Sequence, residues 1–112
     1  MGKALCEAFP VAKAVFDEVD AALGQNLSAL MFGGPTDDLT LTANAQPALM
    51  AVSLAVFRVL QAEAGLDLKR DVAFVAGHSL GEYAALAAAD AFSIADTARL
   101  LRIRGNAMQA AV

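Results

Sequence analysis

The chemistry available to this chain concentrates around one serine. Ser79 lies in Val75-Ala-Gly-His-Ser-Leu-Gly-Glu-Tyr83, with Gly77 and Gly81 two residues to either side. A serine between glycines, after an apolar run and before an alanine-rich one, is the pattern of a nucleophile presented on a strained strand-to-helix turn. Small flanking residues suit such a turn because the helix packs tightly on the strand. Placed there, Ser79 would open the helix, where free N–H groups and the helix dipole favour developing negative charge. The N–H of Leu80, the next residue, is the expected oxyanion donor. The plainer alternative is a glycine-bounded turn with no catalytic task.

A nucleophilic serine needs a base within hydrogen-bond reach. The single histidine, His78, is its immediate neighbour. Adjacent side chains at a strand end point to opposite faces, so His78 is badly placed for that work. A packing or hydrogen-bonding role near the substrate suits it better, which leaves the serine without a base. A second residue stands out on the last helical segment. At about 100° per residue, Arg99, Arg102 and Asn106 share a side read as solvated, whereas Arg104 falls on the apolar stripe with Leu100, Leu101 and Met108. An arginine there either snorkels to the surface or is paired. A guanidinium can also grip a carboxylate bidentately, which would suit an acyl substrate carrying a free carboxylate.

The elements that must position these groups read as follows. Phe9, Ala12, Phe16, Val19 and Leu23 recur at helical spacing, with Pro10 in the first turn and Gly24 as a stop. Residues 33–44 carry dense turn chemistry and read as a loop with one helical turn. Gln46-Pro47 opens a helix that runs to Ala64 and closes at Gly65. Its segment 48–57 is apolar nearly all round, which predicts a core position. Asp71–Ala76 is the one convincing strand. Helical patterning resumes at Leu80, and a last helix begins at Ser93 with Asp96 as its capping-box partner. One strand cannot make a sheet, so the chain is expected to lack strands rather than hide them.

Bulk properties narrow the function classes. With 112 residues the chain is one domain at most. It is 58% hydrophobic and 18% charged, apolar for its size, so part of its surface calls for a partner or further chain to cover it. A net charge of −4 without a basic run argues against nucleic acid. One cysteine, Cys6, gives no disulfide framework and no metal-ligand cluster. Cys6 reads as an unreactive helix residue, and Met50 and Met108 read as core fillers. The longest apolar stretch, Ala48–Val59, is short for a bilayer span and contains Arg58, and the N-terminus lacks a signal-peptide pattern. A cytoplasmic location follows as the expectation.

These residues match a known family. Gly77-His-Ser-Leu-Gly-Glu-Tyr83 resembles the signature of malonyl-CoA:acyl carrier protein transacylases and the acyltransferase domains of fatty-acid and polyketide synthases. Lipases and thioesterases with the same core motif typically continue with another glycine, where this chain has Glu82. Gly34-Pro-Thr-Asp-Asp-Leu39, Gln46-Pro-Ala-Leu49 and Arg102-Ile-Arg-Gly-Asn-Ala-Met-Gln109 are similar to three further family blocks, in order and at family-like spacing. The match spans the whole chain but only the first third to two-fifths of a full-length member.

The resemblance implies an α/β fold: part of an α/β-hydrolase-like acyltransferase core, helix-rich here, without the family's first strand and most of its ferredoxin-like subdomain. Residues 1–112 would be the nucleophile-elbow portion of a catalytic domain. It implies that Ser79 carries the acyl group, Leu80 N–H helps to hold the oxyanion, Arg104 binds the malonyl carboxylate and Gln46 lies near the active site. The implied reaction is ping-pong. Malonyl passes from coenzyme A to serine and then to the phosphopantetheine thiol of acyl carrier protein, with no metal and no resident cofactor. The family's catalytic histidine belongs to a later segment, so the isolated chain is expected to be inactive. Ala45 and Asp90 stand where the family more often has threonine and glycine, the first weakening a helix cap. A serine hydrolase, or a non-catalytic piece that assembles with a complement, are the alternatives. For an acidic carrier protein, Lys13, Lys69, Arg70, Arg99 and Arg102 are the available basic residues.

Overall fold

The computed structural model describes residues Met1–Val112. Eight helices follow one another: α1 Lys3–Ala8, α2 Pro10–Leu23, α3 Leu27–Gly33, α4 Thr36–Thr40, α5 Thr42–Ala64, α6 Leu68–Asp71, α7 Gly81–Ala88 and α8 Ile94–Ala110. The boundaries of α2 agree with the sequence. Pro10 sits in its first turn, where the missing N–H costs nothing, and Gly24 ends it in the left-handed conformation. Gly65 does the same for α5. Ser93 caps α8 by accepting the Asp96 N–H, while the Asp96 carboxylate turns instead to Arg99. The short helices α1, α3 and α6 lack a long apolar stripe and were not anticipated.

The central packing is α5 against α8 and α2. Phe16, Val19, Leu27, Met50, Leu54 and Leu101 form its large buried side chains. Phe16 also meets Phe32 edge-on, with ring centroids 5.4 Å apart. The long α5 has the length and apolar composition to cross a membrane. Here one side of it forms the core through Gln46, Pro47, Met50, Ala51, Leu54 and Ala55, and the opposite side exposes Leu49, Val56 and Leu60. The prediction of a core helix is therefore correct for one face only.

The α/β reading needs correction within this chain. Asp71–Ala76 forms no strand: Asp71 ends α6, and 72–77 run unpaired toward the elbow, with Phe74 90% exposed. The reason is stoichiometric, because a strand is defined by a partner and no second β-type run exists to offer one. The start of α5 also differs. It begins one turn before Gln46, at Thr42, which makes Ala45 an interior residue rather than a cap. Asp90, in place of a turn glycine, follows α7 at φ 63°, a left-handed conformation that Asp tolerates better than most side chains.

Candidate active site

The elbow forms even without a sheet behind it. Ser79 has φ 56°, a left-handed conformation that costs a non-glycine residue energy and persists only where its surroundings impose it. What imposes it is the close return of the chain upon itself. A Cβ on Gly77 would lie 2.0 Å from the carbonyl carbon and oxygen of Gly81 and 2.5 Å from the Glu82 nitrogen. Only glycine fits there. At Gly81 a Cβ would meet nothing, so the two glycines of the motif are not equivalent. The Gly81 N–H donates to His78 O (2.9 Å) and the Glu82 N–H to Ser79 O (3.2 Å), which starts α7 directly after the serine.

Arg104 comes from α8 to meet this serine. Its Nη2 donates to Ser79 Oγ at 3.2 Å, and its Nη1 donates to Gln46 Oε1 at 2.6 Å. Its guanidinium carbon lies 5.7 Å from the centroid of the Tyr83 ring. Thus an arginine on the apolar stripe is paired rather than snorkelling. Gln46 is only 4% exposed, and its amide nitrogen donates to Thr42 Oγ1 (2.8 Å) and to Met108 Sδ (3.3 Å). With both donors of the amide engaged, its oxygen has to face Arg104. Met108 is 44% exposed and orients Gln46, a correction to its reading as core filler.

A second arginine explains how α8 is held at this distance. Arg102, read from sequence as solvated, is partly buried and donates through Nη1 to Ala43 O (2.6 Å) and Asn44 Oδ1 (2.8 Å), and through Nη2 to Gln25 Oε1. Burial lowers its pKa from the usual arginine value, and it remains cationic at neutral pH. The bond to Ala43 has a local cause. Pro47 lies inside α5 and has no N–H, so the carbonyl four residues back, Ala43 O, loses its helical donor. Arg102 replaces that donor. Beside it, Gly105 brings the α8 backbone so close that a Cβ would sit 2.7 Å from Ala43 Cα. Gln109 Oε1 then accepts the Thr42 N–H at 3.2 Å, one of the orphan donors of the α5 N-terminus.

Of the residues singled out from sequence, Ser79, Arg104 and Gln46 are brought together. His78 is not. Its backbone belongs to the elbow, but its ring is exposed and makes no hydrogen bond, to Ser79 or to anything else. Leu80 packs against the core as the residue that leads into α7, and its N–H donates to no group in the chain. Sequence reasoning missed Tyr83, Arg102, Gly105 and Gln109. Pro47 gives a signal only once the helix is known to start at Thr42, because a proline inside a helix leaves an orphan carbonyl that some donor must fill. Most of the basic residues weighed as a docking face are occupied locally: Lys13 by Asp17, Arg70 by Asp71 and Arg99 by Asp96.

The comparisons with known proteins agree along the entire chain. The sequence profile of the acyl transferase domain matches residues 1–112. The malonyl CoA-acyl carrier protein transacylase of Bacillus subtilis (strain 168) is 49% identical over 112 residues, all of this chain and 34% of that protein. Its namesake from Escherichia coli (strain K12) is 43% identical over 108 residues, 96% of this chain and 34% of its own length. Among solved structures, the acyl-carrier-protein-S-malonyltransferase of Bartonella henselae superposes with a TM-score of 0.96 at 67% identity, over 100% of this chain and 35% of that one. A type II PKS malonyl-transacylase in complex with its acyl-carrier protein superposes at 0.90 and 42% identity, with 100% and 35% coverage. The chain thus spans about a third of the length of these relatives. With an unbroken profile match and the glycine-locked serine elbow on the same residues, the chain belongs to the acyl transferase domain family.

Proposed function

We propose that residues 1–112 are the nucleophile-elbow portion of a malonyl-CoA:acyl carrier protein transacylase with an α/β-hydrolase-like core, acting in the cytoplasm in fatty-acid synthesis. The observation that carries this reading is Arg104 at 3.2 Å from Ser79 Oγ, its other terminal nitrogen fixed by Gln46. A cation so close to a nucleophilic oxygen suits an acyl group whose own carboxylate lies a few bonds from the reacting carbonyl. A three-carbon dicarboxylic acyl group has that length. A hydrolase of neutral acyl esters would have no use for the charge.

In this mechanism Ser79 Oγ attacks the thioester carbonyl of malonyl-CoA while a base takes its proton. The Leu80 N–H donates to the oxyanion, the carbon–sulfur bond breaks and coenzyme A leaves as the protonated thiol. The phosphopantetheine thiol of acyl carrier protein then attacks the malonyl-serine ester in the reverse sense, restoring the serine hydroxyl. The thiol arrives with the partner, so the enzyme uses no cofactor of its own. The base is assigned to the remaining two thirds of the domain, and His78 to the substrate side of the elbow. The relative solved in complex with its acyl-carrier protein supports the choice of partner.

The test uses an enzyme carrying this sequence joined to the rest of the domain. Ser79→Ala should abolish labelling by malonyl-CoA. Arg104→Ala should lower malonyl transfer about 10- to 100-fold, the worth of charged hydrogen bonds, with acetyl transfer spared. Retained malonyl labelling of Ser79→Ala overturns the reading.

A further inference from the structure

We infer that Tyr83 is a positioning residue for Arg104, and through it a determinant of selectivity for carboxylate-bearing acyl groups. This inference rests on the proposed role of Arg104. Three groups hold the guanidinium, and they are of different kinds. Gln46 Oε1 takes Nη1 and Ser79 Oγ takes Nη2, both at the edge of the plane. Tyr83 alone offers a ring, with the guanidinium carbon 5.7 Å from its centroid, within the range of a cation–π contact.

The edge contacts cannot keep the guanidinium in place by themselves. Ser79 Oγ becomes an ester oxygen in the acyl-enzyme and loses much of its capacity as an acceptor. A carboxylate arriving beside Ser79 also takes over Nη2. During turnover, Gln46 and the Tyr83 ring are therefore the two lasting contacts. The former fixes one nitrogen, which leaves the plane free to swing about that bond. The latter removes this freedom by presenting a ring to the cation, and it leaves Nε, which donates to nothing in the chain, and the adjacent Nη2 as an open fork. A planar fork of this kind grips a carboxylate bidentately.

Local sequence explains how the ring reaches that place. Tyr83 is the third residue of α7, four after Ser79, so the helix that starts directly after the elbow carries the ring to the same guanidinium that meets the serine. The Tyr83 N–H donates to Leu80 O at 3.0 Å, and its side chain packs against the edge of the core. The phenolic oxygen makes no hydrogen bond within the chain, so the contact to Arg104 belongs to the ring rather than to the hydroxyl.

The experiment compares malonyl-CoA with acetyl-CoA as donors in an enzyme carrying this sequence with the rest of the domain. Tyr83→Leu should lower kcat/KM for malonyl-CoA roughly 5- to 20-fold, the worth of a partly desolvated cation–π contact, mainly through KM. Acetyl transfer should change less than twofold, which also shows that the elbow has folded. Tyr83→Phe should restore most of the malonyl preference. In an Arg104→Ala background, Tyr83→Leu should add nothing. Equal losses for the two donors, or a Tyr83→Phe enzyme as poor as Tyr83→Leu, overturn the inference. If Arg104→Ala itself leaves the malonyl preference intact, the underlying reading of Arg104 fails instead.

Discussion

Two regions meet at Ser79, and they are built in opposite ways. The start of α5 and the C-terminal half of α8 are bound to each other by side chains from within the chain: Arg102 to Ala43, Arg104 to Gln46, Gln46 to Met108, and Gln109 to Thr42. The approach to the elbow, residues 72–78, has almost nothing of the kind. Its residues are exposed and pair with no strand. The α5–α8 half of the site is thus held by hydrogen bonds from within the chain. The elbow half rests on the close approach of Gly77 to Gly81, two backbone hydrogen bonds of its own turn, the Arg104–Ser79 bond and the packing of Leu80 and Tyr83 on the core. Tertiary hydrogen bonds secure the first, whereas the approach to the second is shaped mainly by the steric closure of its own turn.

The sharpest way to break this contrast is Gly77→Ala. A methyl group 2.0 Å from backbone atoms of Gly81 cannot be absorbed by a side-chain shift, so the turn must open and Ser79 must leave its left-handed conformation. Malonyl labelling of the joined enzyme should fall by two or more orders of magnitude, while the α5–α8 core stays folded by circular dichroism. Gly81→Ala, with free space around it, should be far milder.

The next largest effect falls on the other region. Arg102→Leu orphans the Ala43 carbonyl and should cost about 1–2 kcal/mol in denaturant unfolding of this chain. Pro47→Ala, made together with it, supplies a helical N–H to the same carbonyl and should recover part of the loss. Additive losses in the double variant would show that Arg102 does not act through Ala43.

Smaller still is the exposed cap ahead of the elbow. The Arg70 guanidinium, and then the Asp67 N–H, hold the Asp71 carboxyl below its ordinary value. A folded pKa below the unfolded one gives stability that is present above the unfolded value, about 3.9. That stability is lost as pH falls through the folded value. Asp71→Asn should flatten this acid-side decline by lowering stability slightly at neutral pH and not at all at acid pH, a small effect because the ion pair faces solvent. The smallest effect is expected for Phe74→Ser. At 90% exposure it should alter stability by under about 0.5 kcal/mol, whereas a buried aromatic such as Phe16 would cost several. A large loss for Phe74→Ser would mean that 72–78 is supported after all.

Much of this was legible in the residues because it is local. Pro10, Gly24, Gly65 and Ser93 act on the backbone within a turn of themselves, and their helices end where they predict. Gly77 and Ser79 are local too, since the elbow closes over five residues. That Arg104 is paired could be read for a related reason, as a charge on an apolar helical stripe must find a partner. Its neighbour Arg102 was misread because helical periodicity records the side of a helix and says nothing of what stands opposite. The strand at Asp71–Ala76 failed in the same way, since extended propensity becomes a strand only when another segment pairs with it.

By itself, then, the sequence determined the elements whose causes lie within one turn of chain: the limits of α2, the end of α5, the start of α8, and the glycine-locked elbow with the serine it presents. Only the tertiary structure decided which groups face that serine. Contacts such as Arg104 to Gln46, Arg102 to Ala43 and Arg104 to Tyr83 join residues far apart along the chain. The first two depend on Gly105, which lets α8 approach the start of α5 more closely than a methyl group would allow. A distance of that kind is a property of packing, which no single helix encodes.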